Sequence, residues 1–181
     1  MQPMFLEDNL AMTIEEWLRY HQDHLHFHQQ YRGLQMIKNP FDLVVYEEIL
    51  WEVKPTVIIE IGSWQGGLTR WLCDRMQMIG TEAKIITIDI TPDAQSNLKS
   101  IASDHCIALV GDCNAPEILS TVRAMISLED RVLVIEDSAR IPLSTPYTSW
   151  KIIVAWSASA VTVLSKTASA MCFVSAHNPA P

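Results

Sequence analysis

Carboxylates recur at or just past the ends of short apolar runs in this chain. Glu60 closes the run from Val57, Asp89 the run from Ile85, Asp112 follows Ile107–Val110, and the pair Glu136-Asp137 follows Val132–Ile135. The first run leads directly into Gly62-Ser63-Trp64-Gln65-Gly66-Gly67. Carboxylates accept hydrogen bonds from hydroxyls, attract cations and, with water, hold hard metal ions. A glycine turn beside them lets backbone approach a ligand without interference from a Cβ.

The elements that must position these groups are read from the pattern between them. Four strand candidates, Val57–Ile61, Ile85–Ile90, Ile107–Val110 and Val132–Ile135, alternate with helical candidates Leu68–Ile79, Asp93–Ala102 and Ala115–Ile126. Strands separated by helices of this length call for right-handed crossovers and a parallel sheet covered on both faces. The fold class is therefore α/β, a doubly wound Rossmann-like sheet. In such a sheet the carboxyl ends of the strands share one edge, so the acidic residues converge on a single crevice. Gly62, Gly66 and Gly67 would bring backbone against a ligand, and Asp89 suits the two hydroxyls of a ribose. A plainer reading stays open: the glycines make only the strand-to-helix turn, and Asp89 caps the next segment. The spacing is Gly-x-x-x-Gly-Gly, which differs from the pyrophosphate fingerprint Gly-x-Gly-x-x-Gly, and Glu60 precedes it. A carboxylate there repels a pyrophosphate and welcomes a cation, which points to S-adenosylmethionine with its ammonium and sulfonium groups.

Two further helices precede the first strand. Thr13 and Glu16 form a capping-box pattern, with Ile14, Trp17 and Leu18 as the stripe of a helix running toward Gln30. His21, His24, His26 and His28 scatter around that helix, so a solvated polar face is expected in preference to a metal site. Asn39-Pro40 opens a second helix expected to bury Phe41, Leu43, Val44, Ile49 and Leu50, and Lys54-Pro55 ends it.

Bulk composition narrows the class. The chain has 181 residues, 49% of them apolar, and 13 basic against 21 acidic residues give a net charge of −8. That length supports one domain, and the acidic balance argues against nucleic acid. A small-molecule partner fits better. Cys73, Cys106, Cys113 and Cys172 show no C-x-x-C spacing, so reduced thiols and a cytoplasmic location are expected. No apolar run reaches the roughly 18–20 residues of a membrane span, and Met1–Asn9 lacks the pattern of a secretory signal. Met and Trp residues near the amino-terminal helix are consistent with homo-oligomerisation or with core packing.

The chain resembles the cephalosporin hydroxylase and rhamnosyl O-methyltransferase group of class I S-adenosylmethionine-dependent methyltransferases. The matching pieces are Tyr31-Arg32-Gly33, Lys38-Asn39-Pro40 with Asp42, Lys54-Pro55, the turn from Glu60 to Gly67, Ile88-Asp89-Ile90, Gly111-Asp112 and the stretch from Val132 to Ser138. They cover about residues 31–139. The resemblance implies that Glu60, Gly62, Gly66 and Asp89 hold the cofactor, with Ser63 and Gly67 in the same turn, and that Asp112 lies near adenine. It implies Asp137 as a Mg2+ ligand and catalytic residue, with Glu136 beside it, where the ion would orient and help deprotonate an acceptor hydroxyl. Lys38 could contact the acceptor or a cofactor carboxylate, or stand as an exposed loop lysine; Trp64 is read as either a shelf for the cofactor or a packing residue, and Cys113 as a small wall residue. The acceptor would be a hydroxyl on a sugar or secondary metabolite.

From Ile141 to Pro181 the composition changes. No Asp or Glu occurs there, and Lys151 and Lys166 are the only fixed side-chain charges. The family pattern continues with a helix and a strand ending in a second acidic pair, which this tail does not spell. Read one base out of frame, Ser149–Met171 can encode such a run, so the segment from residue 140 is taken as an atypical, out-of-frame tail. A divergent natural terminus is the alternative. Either way the domain divides into an amino-terminal helix (1–30), a methyltransferase-like unit (31–139) and the tail, and activity is expected to be impaired, with an exposed sheet edge. Arg140, where the family usually carries a histidine, would further disfavour a metal ion. Rival readings are a catalytically inactive nucleotide-binding or interaction domain and an NAD-dependent oxidoreductase, the latter opposed by Glu60 and the glycine spacing.

Overall fold

The computed structural model describes residues 11–100, 105–136 and, as backbone, 151–157, 160–167 and 170–175. The first helix, α1 (Ile14–Tyr20), begins at the expected capping box: Thr13 Oγ1 accepts from the Glu16 amide, and the Glu16 carboxylate accepts from the Thr13 amide. The expected continuation toward Gln30 is not regular. A π-turn covers His21–Leu25 and a 3-10 turn His26–His28, followed by the short hairpin β1 (Gln30–Tyr31) and β2 (Leu34–Gln35). The solvated histidine face holds at His24 and His28, which are exposed, and is corrected at His21. His21 is buried, stacks on Trp17 with ring centroids 5.4 Å apart, and faces the Gln29 amide at 2.9 Å.

Helix α2 (Pro40–Val53) starts at the Asn39 cap and stops at Lys54, whose left-handed φ of 45° closes the last turn before Pro55. Its buried side chains are Asp42, Tyr46, Leu50 and Val53. Of the expected set, Phe41 and Val44 point outward, exposed by 54% and 59%. The helix is apolar on most sides, so periodicity alone does not single out the face that packs.

The central sheet has the order β5-β4-β3-β6-β7-β8-β9. Four strands are parallel: β3 (Val57–Ile61), β4 (Lys84–Asp89), β5 (Cys106–Val110) and β6 (Val132–Glu136). Each matches a sequence-predicted strand to within one residue at either end. Helix α3 (Gly67–Ile79) links β3 to β4, α4 (Asp93–Asn97) with a 3-10 turn to Ser100 leads toward β5, and α5 (Pro116–Ala124) leads to β6. One face of the sheet packs Ile58, Ile85, Leu133 and Ile135 against Tyr46, Leu50, Leu68, Trp71 and Leu72 of α2 and α3. The other packs Val57, Ile59, Ile86 and Ile88 against Val122 of α5. Covering both faces explains why these strands read as continuous apolar runs.

The tail departs from expectation. Its backbone forms β7 (Lys151–Ser157), β8 (Ala160–Thr167) and β9 (Ala170–Ser175), all antiparallel, with β7 laid along β6 from Val132↔Ala155 to Glu136↔Lys151. The predicted open edge at β6 is therefore paired. The chain reverses direction only at β3, between neighbours β4 and β6, so the topological switch point opens at the carboxyl ends of β3 and β6.

Candidate functional site

The turn after β3 is built around three left-handed residues, Gly62, Trp64 and Gly66. Gly62 has φ 90° and donates its amide to the Ile88 carbonyl at 2.9 Å, and Trp64 has φ 50°, unusual for a bulky side chain. Asp89 at the end of β4 holds that conformation. Its Oδ2 accepts from the Trp64 amide at 2.8 Å, while Oδ1 accepts from the Thr91 amide at 2.9 Å and the Thr91 hydroxyl at 3.0 Å. Three bonds from the protein leave a carboxylate with capacity for a further donor. Asp89 thus braces the loop, in line with the plainer reading, and also borders the cleft.

Glu60 is fully buried, level with Thr87 across the β3–β4 ladder. Its Oε2 accepts from Thr69 Oγ1 at 2.5 Å and Thr87 Oγ1 at 2.7 Å. These hydroxyls fix the carboxylate at the floor of the site, where its field reaches the ligand space with little solvent screening. Ser63 is 5% exposed, and its hydroxyl has no hydrogen-bond partner. A buried hydroxyl in that state is costly until a ligand or water meets it.

Glu60, Gly62, Ser63, Asp89, Asp112 and Glu136 all border one cleft of about 590 Å³. Gly66 and Gly67 stand behind it. A Cβ on Gly66 would meet Leu98 at 3.0 Å, and one on Gly67 would lie 2.3 Å from the Gln35 carbonyl oxygen, so both glycines serve close packing of the turn. Asp112 is exposed at the rim, accepting from the Asn114 amide at 2.9 Å. Cys113 forms part of the wall, as expected. Trp64 is half exposed at the mouth, its indole N–H donating to Gln35 Oε1 at 3.0 Å, so it does not pack under the sheet.

Spacing gave no sign of the segment Gln35–Lys38, which crosses the site and lines it. Lys38 is no exposed loop lysine: it is 3% exposed, with its ammonium 3.4 Å from the Tyr46 hydroxyl and 5.5 Å from that ring's centre. Besides the family-like Lys38-Asn39-Pro40, the signal available was Gly67, whose missing side chain lets this segment lie against the start of α3. Asp137, read as catalytic and as a metal ligand, lies outside the described residues, as do Ser138 and Arg140. Among the described residues no group of three or more His, Cys, Asp or Glu side chains could hold a metal ion. None of the described helices is long and apolar enough to cross a membrane.

The family model of rhamnosyl O-methyltransferase/CmcI matches residues 20–142. The chain belongs to that family. The rhamnosyl O-methyltransferase of Mycobacterium leprae is 30% identical over 84 residues, which are 46% of this chain and 36% of that protein. The rhamnosyl O-methyltransferase of Mycobacterium bovis is 36% identical over 59 residues, 33% of this chain and 24% of that one. The matches thus span about a third or less of these relatives' length. The Mg-SAM structure of CmcI superposes with a TM-score of 0.53 at 24% identity, covering 77% of this chain and 60% of that chain. The class I methyltransferase fold of the rhamnosyl O-methyltransferase/CmcI family is therefore the fold of this protein. Its match embraces every cleft-lining residue named above.

Proposed function

We propose that this chain is an S-adenosylmethionine-dependent O-methyltransferase whose cofactor occupies the cleft at the ends of β3, β4 and β5. The observation that carries the reading is the convergence of Glu60, Gly62, Ser63, Asp89 and Asp112 on one space at the switch point of the sheet. Its size lies within the range of small-molecule sites. Asp89 would take ribose hydroxyls on its remaining acceptor capacity, and Asp112 would border the adenine. The orphaned Ser63 hydroxyl would gain a ligand partner. Bound there, S-adenosylmethionine supplies a methyl group on a sulfonium, open to attack by an oxygen nucleophile.

The chain's own contribution is binding and orientation. Thr69 and Thr87 hold the Glu60 carboxyl in place, so the floor of the site needs no rearrangement when a cation arrives. The turn residues Gly62, Ser63 and Trp64, braced by Asp89, present a fixed wall of the cleft against which the cofactor would be oriented. Glu136 and Asp137 are the residues we would assign to Mg2+. Of the two only Glu136 is described, and the described carboxylates near it do not assemble a coordination set, so methyl transfer is derived without a step through the ion.

The family name and the rhamnosyl relatives support a sugar or secondary-metabolite hydroxyl as acceptor. We further propose that turnover is impaired, because the family match stops at residue 142 and the sequence beyond it carries no carboxylate. In this reading residues 31–139 form the methyltransferase-like unit, preceded by the helix of residues 1–30 and followed by the atypical tail. Free thiols at Cys73, Cys106 and Cys113 are consistent with a cytoplasmic location, and the outward stripe Phe41, Val44 and Trp51 on α2 with self-association.

Titration calorimetry with S-adenosylmethionine and S-adenosylhomocysteine tests the cofactor reading. Binding of both, weakened about 10- to 100-fold by Asp89→Asn, is the expected result. Binding of NADH in their place, or of none of them, would overturn it. Methyl transfer is followed separately with labelled cofactor and sugar acceptors, and rapid turnover would refute the impairment.

A further inference from the structure

A second cavity, of about 460 Å³, lies at the amino ends of β4 and β5, the opposite edge of the sheet from the cleft. Cys73 of α3 and Cys106, the first residue of β5, both border it. Their thiols share a hydrogen bond, and Cys73 packs on the buried cluster of Ala94, Leu98 and Cys106. Sulfurs held that close meet the first requirement of a disulfide, whose bond forms at about 2 Å. We propose that Cys73 and Cys106 form a redox-active dithiol, a modification site at which a hydroperoxide oxidises the pair to a reversible disulfide. This assignment is independent of the cofactor reading above.

Access and charge both support it. Cys73 is half-buried and Cys106 buried, and the cavity reaches both, so a small oxidant can enter where a protein partner could not. The protons are held unequally. The Cys73 S–H donates to Cys106 and holds that thiol below its ordinary pKa, with help from the Arg70 guanidinium and against burial and Glu60; the same hydrogen bond and burial push Cys73 up. Arg70 borders the cavity too, anchored by Asp74 at 3.4 Å. The thiolate is the nucleophilic form of cysteine, so Cys106 is the attacking sulfur and Cys73 the resolving one. In the first step the Cys106 thiolate attacks one oxygen of the hydroperoxide. An S–O bond forms as the O–O bond breaks, and the departing alkoxide leaves as an alcohol with the proton that Cys106 had lost. The Cys73 sulfur then attacks the sulfenic sulfur, the S–S bond forms, and the hydroxyl leaves as water with the Cys73 proton. The dithiol loses two electrons and the hydroperoxide gains them. A pair that is reduced at rest and closes only under oxidant is the form in which disulfides occur in reducing compartments.

The test is peptide mapping of the reduced full-length chain after stoichiometric hydrogen peroxide. Digestion before aspartates places the four cysteines in separate peptides, so every linkage can be told apart. The Cys73–Cys106 linkage is expected to exceed any other by about 10-fold or more, and to disappear on treatment with dithiothreitol. Phenylarsine oxide, which bridges paired thiols, should protect both cysteines from alkylation in the native chain. Cys73→Ser should leave Cys106 as a sulfenic acid captured by dimedone, and Cys106→Ser should leave Cys73 unoxidised. The wild-type map is independent of how well either variant folds. A map in which Cys113 or Cys172 is the preferred partner, or in which Cys73 and Cys106 stay reduced while the peroxide is consumed, overturns the dithiol, as does failure of phenylarsine oxide to protect the pair. Dimedone capture at Cys73 in Cys106→Ser overturns the order of attack.

Discussion

Replacing Gly67 by alanine sets two elementary effects against each other. Gly67 is the first residue of α3, and helix propensity alone makes alanine the better residue by up to about 1 kcal/mol. The added Cβ, however, would stand 2.3 Å from the Gln35 carbonyl oxygen, 2.7 Å from its carbonyl carbon and 2.7 Å from Met36 Cβ. The first distance is about 1 Å inside the separation at which carbon and a carbonyl oxygen meet. Two of the three atoms are backbone, so no rotamer change relieves the clash, and the segment Gln35–Lys38 must move bodily. Overpacking of this kind costs about 1–3 kcal/mol. We therefore expect a net loss near 2 kcal/mol, read as a fall of roughly 4–8 °C in Tm by circular dichroism. Affinity for S-adenosylhomocysteine should fall in parallel, because the displaced segment lines the cleft. Gly80→Ala is the control: it lies at the far end of α3 with nothing within 4 Å of its Cβ, and its strain at φ 77° should lower stability without changing affinity. A Gly67→Ala protein as stable as the wild type would refute the packing argument.

Other outcomes follow from the same contacts. Thr69→Val or Thr87→Val should each destabilise the fold by about 1.5–3 kcal/mol in urea, since each removes a donor from buried Glu60. Both act on the same oxygen, so the double variant should deviate from additivity. The Asp130 carboxyl is held below the usual carboxylate range by the Ser127 amide and then by the Thr56 hydroxyl. Its stabilisation is present above the unfolded pKa and is lost as pH falls through the lower folded value. Asp130→Asn should accordingly cost about 1 kcal/mol at pH 7, with the gap to wild type closing as the pH falls below the ordinary carboxylate range. Burial lowers the His21 pKa below its ordinary value, so the folded state resists protonation there. Stability from this residue is complete above the unfolded pKa and declines as pH drops toward the folded one. His21→Phe, which keeps a ring against Trp17, should flatten the fall in Tm between pH 7 and pH 5.

The parallel half of the sheet was legible because its strands are buried on both faces, which leaves β-branched runs such as Val57–Ile59 and Ile85–Ile88. Parallel topology then forces Glu60, Asp89 and Asp112 to one edge whatever their separation in sequence. Less was readable where tertiary contact decides. The stretch Leu34–Lys38 has neither a helical nor a strand period, and the burial of Lys38 depends on Tyr46 and on the start of α3, far along the chain. The packed face of α2 escaped notice because apolar residues surround most of that helix. Pairing of β7 along β6 was missed because the tail was judged by its lack of acidic residues, while its β-branched content was set aside.

The left-handed Trp64 makes Asp89 a shared resource. The same carboxylate that steadies the Trp64 amide faces the space where ligand hydroxyls would compete for it, and the indole stands half in solvent at the rim. Occupancy of the crevice is therefore mechanically wired to the environment of one fluorophore. The emission of Trp64, isolated by replacing the other five tryptophans with phenylalanine, becomes an intrinsic gauge of ligand entry that needs neither turnover nor a known acceptor.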